Sequence, residues 1–181
     1  MSTLTLTLLQ SSLHWLDKDA NLAMFNKQLD AVTQQSDLIL LPETFATGFA
    51  INLDCAEPEN GKVLTWLKAQ AHKHNAVIAG SVFVTQGSKK ANRFYWVQPN
   101  GEVDFYDKRH LFCLGNEGDF VVAGQARKVF TINGFKLLPQ VCYDLRFPVF
   151  QRNNNDYDVM INIANWPAVR RHVWDTLLMA R

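Results

Sequence analysis

The chain has 181 residues, of which 48% are hydrophobic and 19% charged, and its formal net charge is +1 at pH 7. That balance, with twelve Phe and five Trp, points to one ordered globular domain over 1–181 and excludes a disordered chain. It also leaves no broad charged field to recruit nucleic acid or an anionic membrane, and Lys89-Lys90 and Arg170-Arg171 read as isolated, solvated pairs.

Leucine alternates with threonine over residues 4–9, as in a strand, and the basic start and continuous apolar core of a secretion signal are lacking. Leu22, Phe25, Leu29 and Val32 then form one helical stripe, with Asp17 and Asp19 available at its N-terminus. The apolar run at 37–41 has the signature of a strand buried on both faces. A second helix is expected over 63–74 and a strand over 76–84. Two hairpins are expected next: 93–98 with 102–106 around Pro99-Asn-Gly101, and 128–132 with 135–141 around Asn133-Gly134. A strand over 158–163 precedes a helix from about Val169, with Val173, Trp174, Leu177 and Leu178 on its apolar side. Helices separated by buried strands, together with hairpins, predict an α/β or layered α+β domain with a sheet-based core.

No apolar run approaches the ~20 residues that a membrane-spanning helix needs. Cys55, Cys113 and Cys142 are an odd, widely spaced set without a Cys-x-x-Cys pair, which suggests neither a disulfide framework nor a zinc site. The expectation is a reduced, cytoplasmic protein. The last helical pattern still runs at Arg181 without a stop signal, so a fragment, or a chain lacking an expected segment, is anticipated.

Four polar positions stand where apolar strands end. Glu43 follows a buried strand in Leu-Leu-Pro-Glu and reads equally as a site carboxylate or as a surface residue opening a loop. Lys108, among aromatic residues in Phe-Tyr-Asp-Lys-Arg-His, fits either a desolvated cation aimed at a developing anion or a solvated charge cluster. Glu117 lies in a glycine-containing loop and is bland in isolation. Cys142, in Val-Cys-Tyr-Asp-Leu-Arg-Phe-Pro, reads by itself as a small buried hydrophobe, because a nucleophilic thiol needs a base or a nearby positive charge. His72 and His74 lie two apart on a helical pattern and face apart, against a metal pair, whereas His110 and His172 remain candidate bases.

Taken in order, Leu-Pro-Glu43-Thr-Phe-Ala-Thr-Gly-Phe, Ala79-Gly-Ser81, Tyr-Asp-Lys108-Arg-His-Leu-Phe, Glu117 seven residues before Gly124, Val-Cys142-Tyr-Asp-Leu-Arg-Phe-Pro and Ala164-Asn-Trp-Pro167 resemble the nitrilase superfamily of carbon–nitrogen hydrolases. Tyr-Asp-Lys-Arg-His-Leu-Phe together with Cys-Tyr-Asp-Leu-Arg-Phe-Pro is most similar to the ω-amidase branch. The resemblance implies an α-β-β-α sandwich whose C-terminal third is missing here, making an incomplete single domain, and pairing with a second copy as a homodimer. It implies a catalytic Glu43–Lys108–Cys142 set with Glu117 in support, no cofactor and no metal. Small amides of the 2-oxoglutaramate or 2-oxosuccinamate type are the expected substrates, with neither nucleic acid nor membrane as partner. Other activities of the superfamily, on nitriles or carbamoylated amines, and an inactive truncated fragment are the alternatives. The backbone N–H of Tyr143 is expected to share the oxyanion with Lys108. Arg146 is expected either to bind a substrate carboxylate or to pair with Asp144 or Asp156. Phe45, Phe112 and Trp166 are expected either to wall a small pocket or to pack in the core.

Overall fold

A computed structural model describes residues 3–52 and 54–181. Its first sheet has the order β1-β2-β3-β4-β5, from β1 (Leu6–Leu8), β2 (Leu38–Leu40), β3 (Val77–Gln86), β4 (Lys89–Val97) and β5 (Val103–Asp107). β1, β2 and β3 run parallel, whereas β3, β4 and β5 form an antiparallel meander. The parallel pairs enclose helical crossovers, α1 (Lys18–Asp30) and α2 (Lys62–His74), as parallel connections require. A second sheet, ordered β6-β7-β8, comprises β6 (Phe130–Ile132), β7 (Phe135–Val141) and β8 (Val159–Ile163).

Strand alternation sorts the core into two layers. Ile39, Ile78, Val82 and Val97 face Leu22, Phe25 and Leu29 of α1 and Val63, Leu64 and Leu67 of α2. Their neighbours Leu38, Leu40, Val77, Ala79, Phe94 and Trp96 face the second sheet through Phe130, Leu137, Val141, Ile161 and Ile163. Trp96 stacks on Phe130 at 4.7 Å between centroids, which clamps the sheets together. β2 is buried on both faces because helices cover one side and the second sheet the other. The layering is therefore helix, sheet, sheet; the other helices are two short pieces, α3 (Glu117–Phe120) before the second sheet and α4 (Pro148–Gln151) between β7 and β8, and the terminal α5 (Arg171–Met179).

Several expectations need correction. α1 ends at Asp30, capped at its start by Asp17, whose side chain accepts from the Ala20 N–H at 2.9 Å; Val32 lies beyond it. The strand at 76–84 and the first arm of the next hairpin are themselves a hairpin, closed at Gly87-Ser88 with Gly87 at φ +61°. Its polar tip, Gln86 to Lys90, hides the strand ends from an apolar count. The Asn133-Gly134 turn has both residues at positive φ, as a two-residue type I′ loop demands. α5 starts at Arg171, because 168–170 form a 3-10 turn.

Candidate active site

Four strand ends converge on one place. Glu43 follows β2, Lys108 follows β5, Cys142 follows β7, and Asn165 and Trp166 follow β8. Glu43 is turned into the protein by Thr44, which adopts φ +46° and donates its N–H to Ser81 Oγ on β3 at 2.9 Å. A β-branched residue in the left-handed region is strained, and such strain concentrates at functional positions. Lys108 is held on both sides of its backbone: its N–H donates to the Asn92 carbonyl, and its carbonyl accepts from the Gly124 N–H, each at 2.9 Å. Only glycine fits at 124, since a Cβ there would lie 2.0 Å from the Asp107 carbonyl oxygen.

Lys108, Glu43 and Glu117 have no solvent-exposed surface. The Lys108 ammonium donates to Glu43 Oε1 at 3.0 Å and to both oxygens of Glu117 at 3.0 and 3.1 Å. Its donors are thereby aimed at carboxylates, and Nζ also lies 5.1 Å from the Phe49 ring centroid. Burial alone pushes the ammonium towards neutrality, but the charges of Glu43 and Glu117 overturn this and hold it well above the ordinary lysine value. The remaining carboxylate oxygens are occupied as well. Asn92 Nδ2 donates to Glu43 Oε1 and the Asn165 N–H to Glu43 Oε2, both at 2.9 Å. The Phe112 N–H donates to Glu117 Oε2 at 2.6 Å. Burial, opposed by Lys108 and reinforced by Glu43, pushes the Glu117 carboxyl up.

Cys142 occupies the first position after β7 at φ +49°, opening the 3-10 turn Cys142–Arg146. The Asp144 carboxylate braces that bend by accepting the Val141 N–H at 2.9 Å. Asp144 also accepts from Tyr106 Oη at 2.8 Å and from the His110 N–H at 2.9 Å, and contacts His110 Nδ1 at 2.7 Å. One buried carboxylate thus ties the thiol's turn to the segment that carries Lys108. Burial pushes the Cys142 thiol well up, the Glu43 charge adds to this, and Lys108 opposes it. The sulfur therefore keeps its proton at neutral pH and must lose it to a base in order to react. Glu43 is beside it.

Cys142, Glu43, Tyr143, Arg146, Phe112 and Trp166 share one cavity of about 120 Å³. The Arg146 guanidinium lies over the Tyr143 and Trp166 rings at 5.6 and 5.5 Å. It pairs with neither Asp144, whose oxygens are taken, nor Asp156, which pairs with Arg127. Phe45 does not wall the cavity: it is fully buried in the helix-facing core against Phe25 and Trp66. Neither histidine candidate lines it. His110 is bound to Asp144 and stacked on Phe147, and His172 is exposed on α5. Cys113 is exposed and Cys55 is buried in a separate apolar cluster. Among the described residues no group of three or more His, Cys, Asp or Glu is arranged to hold a metal ion.

Three site residues escaped the sequence reading. Asn92 is a fully buried amide in the middle of β4, but with Lys89, Lys90 and Arg93 on the same strand its polarity carried no distinctive signal. Asn165 acts through its backbone, which leaves no mark on residue type. Arg170 was read as solvated, yet its guanidinium lies 4.9 Å from the Phe112 centroid and lines the same cavity.

The sequence pattern of the carbon-nitrogen hydrolase family matches residues 5–181. Omega-amidase YafV of Yersinia enterocolitica is 50% identical across the whole chain, and 2-oxoglutaramate amidase of Bacillus subtilis is 32% identical across 98% of it. The chain spans 70% and 71% of those relatives' lengths. Among solved structures, XC1258 of Xanthomonas campestris, a CN-hydrolase superfamily protein with an arsenic adduct in its active site, superposes with a TM-score of 0.94 at 40% identity, over 99% of this chain and 71% of its own. An amidase from Nesterenkonia, 23% identical, shares the fold with a TM-score of 0.85, over 98% of this chain and 70% of its own. The chain belongs to the carbon-nitrogen hydrolase family, with the nitrilase-superfamily fold.

Proposed function

We propose that the protein hydrolyses a small ω-amide of the 2-oxoglutaramate or 2-oxosuccinamate type to the dicarboxylic acid and ammonia, through a thioester on Cys142. The observation that carries this reading is the buried Glu43–Lys108–Glu117 cluster beside the Cys142 thiol in a cavity of about 120 Å³. The names of the Yersinia and Bacillus relatives support the substrate class.

Cys142 Sγ attacks the amide carbonyl carbon while its proton passes to Glu43, and the carbonyl π pair moves onto oxygen. The positive charge of Lys108 and the Tyr143 N–H stabilise this oxyanion; the first N–H groups of a helical turn have no partner within it. Loss of one such donor costs on the order of 100- to 1,000-fold in rate. The oxyanion collapses, the C–N bond breaks, and Glu43 returns the proton to nitrogen, so that ammonia leaves. Water then attacks the thioester and gives Glu43 a proton; the C–S bond breaks and the thiol takes that proton back. Lys108 stays charged throughout, and Glu117 holds its ammonium in position.

The unit is the single domain 1–181, which spans 70% of the Yersinia relative's length. Free Cys55, Cys113 and Cys142 fit a reducing cytoplasm. Apolar surface at Val149, Val169 and Met179 supports pairing with a second copy as a homodimer. Ammonia release from 2-oxoglutaramate, measured for the protein and for Cys142→Ala, tests the proposal. Activity is expected from the first alone, and turnover that survives the substitution overturns the reading.

A further inference from the structure

The cavity at Cys142 carries two arginines, and neither pairs with a carboxylate among the described residues. Arginines elsewhere in partly buried positions do have partners. Arg93 binds Asp107 and Glu59, Arg109 binds the Gly124 carbonyl and Gln125, and Arg127 binds Asp156. Holding a guanidinium away from bulk water without a counter-charge is unfavourable unless something else compensates. Arg146 Nε is buried without any hydrogen-bond partner.

The aromatic wall shows how the two are kept. Arg146 lies over the Tyr143 and Trp166 rings and Arg170 over the Phe112 ring, so aromatic faces hold each cation. A ring offers no carboxylate-like acceptor to the N–H groups, and those are the donors that fork onto a carboxylate. Trp166 links the two arginines. Its ring carries Arg146, while its indole Nε1–H donates to the Arg170 carbonyl at 2.9 Å and sets where the 168–170 turn presents that side chain.

We infer that Arg170 joins Arg146 in an anion clamp in the Cys142 cavity that binds the carboxylate at the end of the substrate remote from the amide. This rests on the proposed reaction at Cys142 and extends it: selection is for charge at the far end and not only for a small amide. A neutral amide of equal length fits the same space and leaves both guanidiniums unsatisfied, a loss that hydrogen-bonding sites translate into strong discrimination.

The test compares succinamate with butyramide, which replaces the remote carboxylate by a methyl group, in the protein, in Arg170→Gln and in Arg170→Lys. The ratio of kcat/KM for succinamate to that for butyramide is expected to fall about tenfold in Arg170→Gln, chiefly through KM for succinamate, and to recover in part in Arg170→Lys, which restores charge but not the fork. Succinate is expected to slow iodoacetamide alkylation of Cys142, followed by peptide mass spectrometry, and to lose that effect in Arg170→Gln. A ratio and a succinate effect both unchanged in Arg170→Gln overturn the clamp. If neither amide is hydrolysed, the proposed activity falls, and the succinate measurement still decides the anion site by itself.

Discussion

Lys108 Nζ lies 3.0 Å from Glu43 Oε1, between residues 65 apart in sequence, and both side chains are fully buried. With Glu117 on its other side, one ammonium is shared by two carboxylates that have left water together. Removing the ammonium from such a cluster leaves two buried carboxylates without a counter-charge.

Lys108→Met should therefore destabilise the protein by about 3–5 kcal/mol, read as a lower urea midpoint. Adding Glu117→Gln should recover part of the loss by removing one stranded carboxylate. A double variant no more stable than Lys108→Met would show that the charges are not coupled.

Glu43→Gln keeps the shape of the side chain but cannot take the Cys142 proton. Loss of a positioned general base typically costs 10²- to 10⁴-fold, and kcat should fall by about that factor. Its hydrogen bonds all come from N–H donors, Lys108 Nζ and Asn92 Nδ2 on one oxygen and the Asn165 backbone on the other, so the amide, with one acceptor oxygen, gives up at least one of them. A small loss of stability, about 1–2 kcal/mol, accompanies the kinetic loss.

Stability should decline as the solution becomes alkaline. Cys142, Tyr106 and Lys108 all have folded-state values raised above their ordinary 9.0, 10.0 and 10.5: Cys142 and Tyr106 by burial, Lys108 by its carboxylates against the effect of burial. Above each ordinary value the unfolded chain has released a proton that the folded protein retains, so each unit of pH favours unfolding. The urea midpoint should be level below about pH 8 and fall beyond it, and Cys142→Ala should lessen the first part of the fall, to which Cys55, also pushed up by burial, contributes. By the same cause the alkylation rate of Cys142 should still be rising with pH above 9.0, the ordinary thiol value.

Asp144 accepts hydrogen bonds from the turn before Cys142 and from the segment after Lys108, so Asp144→Asn tests whether that brace positions the nucleophile. An amide has one acceptor oxygen, and it cannot serve the Val141 N–H, the Tyr106 hydroxyl and the His110 N–H together. A loss of about 2–3 kcal/mol is expected, because bonds to a charged group are the stronger kind. Tyr106→Phe removes one of these bonds and should cost less. In the folded fraction kcat should fall more than KM changes, whereas a stability loss with kcat intact would confine Asp144 to the core.

Gly124→Ala should disrupt the Lys108 segment without touching any charged group. A methyl 2.0 Å from the Asp107 carbonyl oxygen forces the backbone apart and breaks the Gly124–Lys108 hydrogen bond. Overpacking of this kind costs about 1–3 kcal/mol, measurable as a fall in the urea midpoint.

Sequence by itself determined the elements whose signals are local. The buried strand at β2, the stripe of α1 and the Asn133-Gly134 turn each follow from spacing or from a residue with special backbone freedom. Motif order placed Glu43, Lys108, Glu117 and Cys142 in one family pattern, and the tertiary structure brings all four to one point. What the fold alone decided concerns direction and surroundings. Phe45 and Phe112 are the same residue type, each beside a motif residue, yet one packs under the helices and the other walls the cavity. Arg170 and Arg171 are adjacent and alike in sequence, but the 168–170 turn points one guanidinium onto Phe112 and leaves the other paired with Asp175. Burial and pairing are set by which distant strand ends meet, so a chain read in one dimension names the charged residues while only their packing fixes which of them are paired and which are left for a ligand.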